Sequence, residues 1–250
     1  MPEKMPVLLV DNSNTRTKFA LAAEGRLLRG GEYRVLPTRG IDVGSISRLL
    51  EGWKFDRVCI SSVVPGAHAV FEAAFAGRSL CQVNAAMCGS LFEGYAGADT
   101  LGADRVVNVL AAVEHGRFPV VAVDMGTAVT FDVVGGGPRF LGGIIAPGLR
   151  MMAEALHAQT SLLPCVDAVS SPPRCIGGNT VEAVQAGVRL AFAGMLGHAM
   201  RSLASELGAA PFFIATGGDA RLAAQWVPGF DLLDECLTLR GIALAAQRAW

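Results

Sequence analysis

Apolar residues in this chain gather into short unbroken runs that stop on a polar turn. Val7-Leu8-Leu9-Val10 stops at Asp11, Pro119-Val120-Val121-Ala122-Val123 at Asp124, and Pro211-Phe212-Phe213-Ile214-Ala215 at Thr216-Gly217-Gly218. Val58-Cys59-Ile60-Ser61-Ser62-Val63-Val64, apolar apart from its two serines, is a fourth such stretch, broken by Pro65. Such runs predict strands buried on both faces. Leu21 to Tyr33, punctuated by Gly25, Gly30 and Gly31, predicts an antiparallel meander. Gln82-Val83 reads as a short strand, and Phe140 to Gly148 as a strand ending in a Pro-Gly turn.

Between the strands the apolar spacing lengthens to that of helices. Ser45 to Trp53, with Ser45 as N-cap, Ala67 to Ala76, Leu149 to His157 and Leu237 to Ala249 are expected helices. From Asp104 onward Val106, Val107, Leu110, Ala111 and Val113 fall on one helical stripe. Asn179, with Glu182 three residues on, predicts a capping-box start to a helix reaching Leu207. Its buried stripe is expected at Val184, Val188, Ala191, Met195, Ala199 and Leu203. Gly187, Gly194 and Gly197 interrupt it, each costing ~1 kcal/mol relative to Ala, which makes sense where another helix approaches closely. Residues 89–100 and 166–178 read as loops.

Two of the strands carry the same message. Asp11 is followed by Asn12-Ser13-Asn14-Thr15 and an outgoing Arg16-Thr17-Lys18-Phe19, and Asp124 by Met125-Gly126-Thr127 and an outgoing Ala128-Val129-Thr130-Phe131. A strand ending in Asp and a turn is common in α/β proteins; the recurrence of Asp, small residue, Thr, Thr, Phe in order points to two similar lobes. A carboxylate at a buried strand tip, a tight turn with approachable N–H groups and flanking hydroxyls suit a polyphosphate and its metal. Asp104 opens a helix, where the dipole favours a negative cap. With Arg105 beside it, Tyr95 upstream and Gly102-Ala103 at the turn, it also suits a small polar ligand.

Charge and cysteine usage narrow the class. Net charge is −1 and the basic residues are scattered, so the clustered footprint of a nucleic-acid binder is absent from the sequence. An apolar share of 52% against 17% charged residues leaves surface to spare for a subunit interface. No stretch has the ~20 apolar residues of a membrane helix, and Met1-Pro2-Glu3-Lys4 leads straight into a strand, so neither a membrane span nor a signal peptide is expected. The six cysteines have no C-x-x-C spacing and read as reduced thiols of a cytoplasmic protein; the four histidines form no zinc pattern.

Eight strings in order carry a family resemblance over nearly the whole chain: LLVDNSNTRTKFAL (8–21), ISSVVP (60–65), Tyr95 with LGADRVVN (101–108), DMGTAVTFD (124–132), GGIIAPGL (142–149), TSLLP (160–164), IGGNTVEAVQAG (176–187) and ATGG (215–218). In these the chain resembles type III pantothenate kinases, of the acetate and sugar kinase, Hsp70 and actin superfamily. The resemblance implies an α/β fold of two ribonuclease-H-like lobes, each a mixed sheet flanked by helices, with a cleft between; residues 1–117 and 118–250 are the expected lobes. It implies a homodimer that phosphorylates pantothenate with ATP, using Mg²⁺ and a monovalent cation, K⁺ or NH₄⁺.

Carried over by motif, Asp11, Asn12, Ser13, Asn14, Thr15 and Lys18 form the ATP phosphate loop, and Thr127 touches ATP. Asp104 is the general base; Tyr95, Gly102, Ala103, Asp104 and Arg105 line the pantothenate pocket; Thr180 reaches the substrate, across the dimer. Asp124 holds the monovalent cation, and Asp11 the Mg²⁺, directly or through water. One departure stands out: where the family's first hairpin reads Asp-x-Gly-Asn-Thr, this chain has Ser13. If the backbone there needs a positive φ, the side chain costs ~1 kcal/mol or more. Two other readings follow from the same residues: a relative that no longer catalyses and serves as an accessory binding protein, or a sugar or acetate kinase, against which Tyr95, Asp104 and Arg105 argue.

Overall fold

The computed structural model describes residues 5–169 and 174–250; part of the loop expected at 166–178 and the first four residues lie outside these. The chain divides into two compact units. One comprises the residues up to 116 with 138–141 and 236–250, the other 117–137 and 142–235. Relative to a simple division at 117/118, two later segments belong to the first unit, among them the last helix.

In the first unit β1 (Val7–Asn12) lies between β2 (Arg16–Ala23), antiparallel, and β5 (Arg57–Ser62), parallel. β2 also pairs antiparallel with β3 (Arg26–Leu27) at one end and β4 (Tyr33–Pro37) at the other, so the meander is present. β6 (Ser79–Gln82) closes the sheet beside β5. Leu8, Val10, Phe19, Val58 and Ile60 pack from one face onto Ile46 of α1 (Val43–Leu49) and Phe71 of α2 (Ala67–Ala74). Strand alternation sends Leu9, Asp11, Cys59 and Ser61 to the other face. There α3 (Ala103–Val113) packs on β5, and α7 (Leu237–Ala249) packs on β1 and β5.

The two helices α3 and α7 touch closely enough that a Cβ on Gly241 would overlap the Val107 carbonyl. Beside that contact, buried Asn108 accepts a hydrogen bond from Thr238 Oγ1 at 2.9 Å. The α7 sequence thus belongs with α3 by shape, a pairing that periodicity alone does not reveal. The cap of α1 also differs from expectation. Asp42, not Ser45, is the N-cap: its Oδ1 accepts from the Ser45 amide at 2.7 Å, while the Asp42 amide donates to Ser45 Oγ at 3.1 Å. Ser45 is the far half of a capping box that begins three residues earlier.

The second unit repeats the plan. β7 (Val120–Met125) pairs antiparallel with β8 (Ala128–Val134) and parallel with β10 (Phe212–Thr216). β9 (Phe140–Pro147) and β11 (Leu232–Leu233) are the edges. Val121, Val123, Val129 and Phe131 share a core with α4 (Leu149–Ala158), α5 (Thr180–Leu207) and α6 (Ala220–Trp226). α5 starts at the expected cap: Asn179 Oδ1 accepts from the Glu182 amide at 3.0 Å, while Glu182 Oε2 accepts at 2.8 Å from the Gly178 amide, one residue before the cap, rather than from the amide of Asn179 itself.

The buried stripe of α5 runs through Val184, Val188, Phe192, Leu196, Ala199 and Leu203, one position on from the expected Ala191 and Met195. The bulkier Phe192 and Leu196 win the core, and Ala191 is exposed. Around Gly187 and Gly194, where a helix was expected, no described part of the chain comes within 4 Å of an added Cβ. No helix among the described residues is long and apolar enough to cross a membrane.

Candidate active site

The first hairpin brings together most of the residues that the sequence assigns to phosphate binding. Asp11, next to last in β1, is nearly buried, at 3% exposure, directly across from Lys18 on β2. Lys18 Nζ lies 3.4 Å from its Oδ2. Asn12 is buried, while Asn14 and Thr15 at the tip are exposed. Ser13 does not adopt a positive φ, so the strain conditional on one does not arise. Its hydroxyl instead donates to Asp11 Oδ1 at 3.0 Å.

In the same unit, Asp104 is the second residue of α3, half-buried, with its Oδ1 accepting from the Arg105 amide at 2.7 Å. Its carboxylate lies over Gly102, the residue before the helix. Burial pushes the Asp104 pKa up, and the charge of Asp11 pushes the same way, against the Arg105 amide and guanidinium. The two carboxylates are therefore close enough to feel each other, which sequence spacing does not disclose. A carboxylate held above its ordinary pKa at a helix start is poised to take a proton from an alcohol.

Tyr95 and Arg105 meet through a residue that the sequence analysis did not single out. The Tyr95 ring packs edge-on to Phe140, with centroids 4.9 Å apart, and the Arg105 guanidinium carbon sits 5.8 Å from the same ring centre. Phe92 packs on Phe140 from 5.1 Å. Phe140 is 2% exposed and lies in the 138–141 segment that joins the first unit. Its one local signal is its place at the head of an apolar strand, which says nothing of Tyr95.

The second hairpin holds Asp124 half-buried at the end of β7 and Thr127 exposed in the turn. The Gly126 amide donates to the Ala128 carbonyl at 3.0 Å, and the Gly148 amide to the Thr127 carbonyl at 3.1 Å. Gly217, at φ 93°, lies so close that any side chain there would run into Asp124 and the Met125 backbone. Thr180 is exposed at the first turn of α5.

The parallel neighbour of each aspartate carries a hydroxyl in register: Ser61 beside Asp11, Thr216 beside Asp124. Both residues are 1% exposed, and neither hydroxyl makes a hydrogen bond among the described residues. Leaving each unpaired costs about 1–3 kcal/mol. A carboxylate next to a spare oxygen is a donor set suited to a hard cation. Among the described residues no three carboxylate, His or Cys side chains converge. A cation would therefore draw its remaining ligands from water and phosphate, as Mg²⁺ commonly does.

Two units built on the same strand–hairpin–parallel strand plan, each ending in an aspartate, define the actin-like ATPase class of fold. Solved structures agree. A conserved Baf family protein from Campylobacter jejuni superposes with a TM-score of 0.61 at 21% identity, covering 97% of this chain and 98% of its own. Component A of the Acidaminococcus fermentans (R)-2-hydroxyglutaryl-CoA dehydratase gives 0.56 at 14% identity, with 98% and 97% covered. The family model for type III pantothenate kinases matches residues 7–202. The type III pantothenate kinase of Akkermansia muciniphila is 38% identical over 245 residues, 97% of this chain and 98% of the relative. The chain belongs to the type III pantothenate kinase family.

Proposed function

We infer that this chain transfers the terminal phosphoryl group of ATP to the hydroxyl of pantothenate, forming 4'-phosphopantothenate, the first step of coenzyme A biosynthesis. The carrying observation is Asp104, a half-buried carboxylate whose pKa is raised by burial and by Asp11 at the phosphate hairpin of the same unit. Phosphoryl transfer needs alignment and charge neutralisation more than covalent work by the protein. In this reading Asp104 accepts the alcohol proton as the oxygen attacks phosphorus. Lys18 and the backbone of the exposed residues Asn14 and Thr15 bind phosphate oxygens, with Asn12 and Ser13 shaping the loop, and Thr127 contacts ATP.

Tyr95, Gly102, Ala103 and Arg105 are assigned to pantothenate, Arg105 to its carboxylate. Asp11 is assigned to Mg²⁺, directly or through water, and Asp124 to K⁺ or NH₄⁺; the unpaired Ser61 and Thr216 hydroxyls beside them support both. The cations supply charge neutralisation when bound. The exposed α5 face, with Leu190 at 56% exposure between Gly187 and Gly194, supports a homodimer in which Thr180 reaches the partner's substrate. ATP dependence and six cysteines outside any disulfide among the described residues support a cytoplasmic location.

The test is ADP release by the pure protein, with and without pantothenate and K⁺. Release that requires both is the expected result. Release that ignores pantothenate removes the substrate assignment, and turnover by a sedimenting monomer removes the Thr180 role.

A further inference from the structure

The first hairpin is fastened from behind by a run of side-chain hydrogen bonds whose proton directions can be worked out. The Val64 amide donates to Ser62 Oγ at 3.3 Å, and Ser62 Oγ donates to Asn12 Oδ1 at 2.7 Å. Asn12 Nδ2 donates to Thr17 Oγ1 at 2.8 Å, Thr17 and Thr38 hydroxyls lie 3.0 Å apart, and Thr38 Oγ1 donates to the Ser13 carbonyl at 2.7 Å. A carbonyl only accepts, so the single Thr38 proton is spent on Ser13, and Thr17 must donate to Thr38. Thr17 then has only a lone pair for Asn12, which fixes the Asn12 amide with its nitrogen toward Thr17. The opposite amide orientation would take the Thr17 proton and leave the Thr17–Thr38 contact without one.

The relay thus runs one way, from a backbone donor on the β5 side to a backbone acceptor in the hairpin. Asn12, Thr17 and Thr38 are 1%, 0% and 8% exposed, so water does not compete along its middle. Its last bond grips one peptide group. A trans peptide is planar, with its C=O and N–H pointing opposite ways. Holding the Ser13 carbonyl inward on Thr38 turns the Asn14 N–H outward, at the exposed tip of the hairpin. The Thr38 amide, donating to the Thr15 carbonyl at 3.1 Å, holds the other side of the tip.

We propose that Thr38, outside the hairpin in sequence, is a positioning residue that aims the Asn14 N–H at the nucleotide phosphates by way of the Ser13 carbonyl. This rests on the kinase reading above. Thr38→Val keeps the shape and removes the hydroxyl; Thr38→Ser keeps the hydroxyl. Thr38→Val is expected to lower kcat/KM for ATP about 5- to 10-fold, the value of one such hydrogen bond, with KM for pantothenate unchanged and Thr38→Ser near wild type. In nucleotide-free protein the Ser13 amide, bonded to the Arg16 carbonyl at 3.1 Å, should exchange its hydrogen faster in Thr38→Val than in Thr38→Ser.

If Thr38→Val does not fold, Ser62→Ala breaks the relay at its half-buried start and should lower kcat/KM for ATP about threefold with the same exchange signature. Unchanged ATP kinetics, an equal rise in both KM values, or a Thr38→Ser variant as impaired as Thr38→Val would overturn the proposal. Wild-type protein without pantothenate kinase activity would instead remove the functional reading. The exchange comparison in nucleotide-free protein then decides the relay by itself, equal rates in the two variants overturning it.

Discussion

The two hairpins share a topology and differ in what holds them. Each is an aspartate-tipped strand with an antiparallel partner on one side and a parallel, hydroxyl-bearing partner on the other. The first is tied by side chains: the Lys18 ion pair, the Ser13 hydroxyl on Asp11, and the Asn12–Thr17–Thr38 relay. The second is marked by close backbone packing, with Gly126 in the turn and Gly217 pressed against Asp124. A polar tether fixes direction bond by bond, whereas close backbone packing fixes position and tolerates no added atom. One hairpin geometry can thus be kept in two ways, each with its own weak point.

The sharpest difference is the second carboxylate near the first hairpin. Asp104→Asn is expected to cut turnover by ~10²–10⁴, as for loss of a general base, measured by steady-state ADP release. Retention of most of the rate would remove Asp104 from that role. Its stability effect should go the other way. The Asp104 pKa is raised above its ordinary value of 3.8, so the folded chain binds more protons than the unfolded one above that value. Wild-type stability is therefore lost as pH rises from the ordinary carboxylate range through the raised pKa. A neutral amide in place of the carboxylate avoids this loss, so the variant's thermal midpoint should match wild type at low pH and exceed it at neutral pH. A variant less stable at neutral pH would contradict the assigned burial.

Gly217→Ala attacks the second hairpin alone. With φ at 93° and Asp124 in the way, it should cost about 2–3 kcal/mol, or roughly 5–10 °C in Tm. A shift under about 2 °C would mean the turn relaxes freely. Asn12→Val attacks the first, leaving Ser62 and Thr17 without their shared partner. Denaturant unfolding should show a loss of about 1–2 kcal/mol, smaller than for Gly217→Ala; the reverse order would invert the comparison. The smallest effect is expected where the hairpins agree. Ser61→Ala and Thr216→Val each remove an unpaired buried hydroxyl and should be neutral or stabilising by up to about 1 kcal/mol in cation-free buffer. A clear destabilisation would show that these oxygens have partners.

Local pattern carried the hairpins because strand, turn and strand are adjacent in sequence, and it carried the Asn179–Glu182 cap for the same reason. It carried the two-unit α/β plan because the motif occurs twice. What escaped it depends on contacts between distant residues. Phe140 stands between Tyr95 and Arg105 only through the crossing of residues 138–141 to the first unit. Thr38 reads as an ordinary residue after a strand until its bond to Ser13 is seen. The α5 stripe was misjudged at Ala191, and Met195 packs on the core only in part, because periodicity alone does not choose between neighbouring apolar residues; Phe192 and Leu196 are the ones fully buried.

The return of α7 to the first unit has a consequence for synthesis. Residues 237–249 leave the ribosome only after every strand of the second unit, yet they cover β1 and β5, among the earliest strands made. Until then that face of the sheet carries α3 on β5 but lacks α7, so the first unit can be completed only after the second has been made. For this chain, N-terminal does not mean first to finish. Removing the tail should cripple the beginning of the protein before its middle.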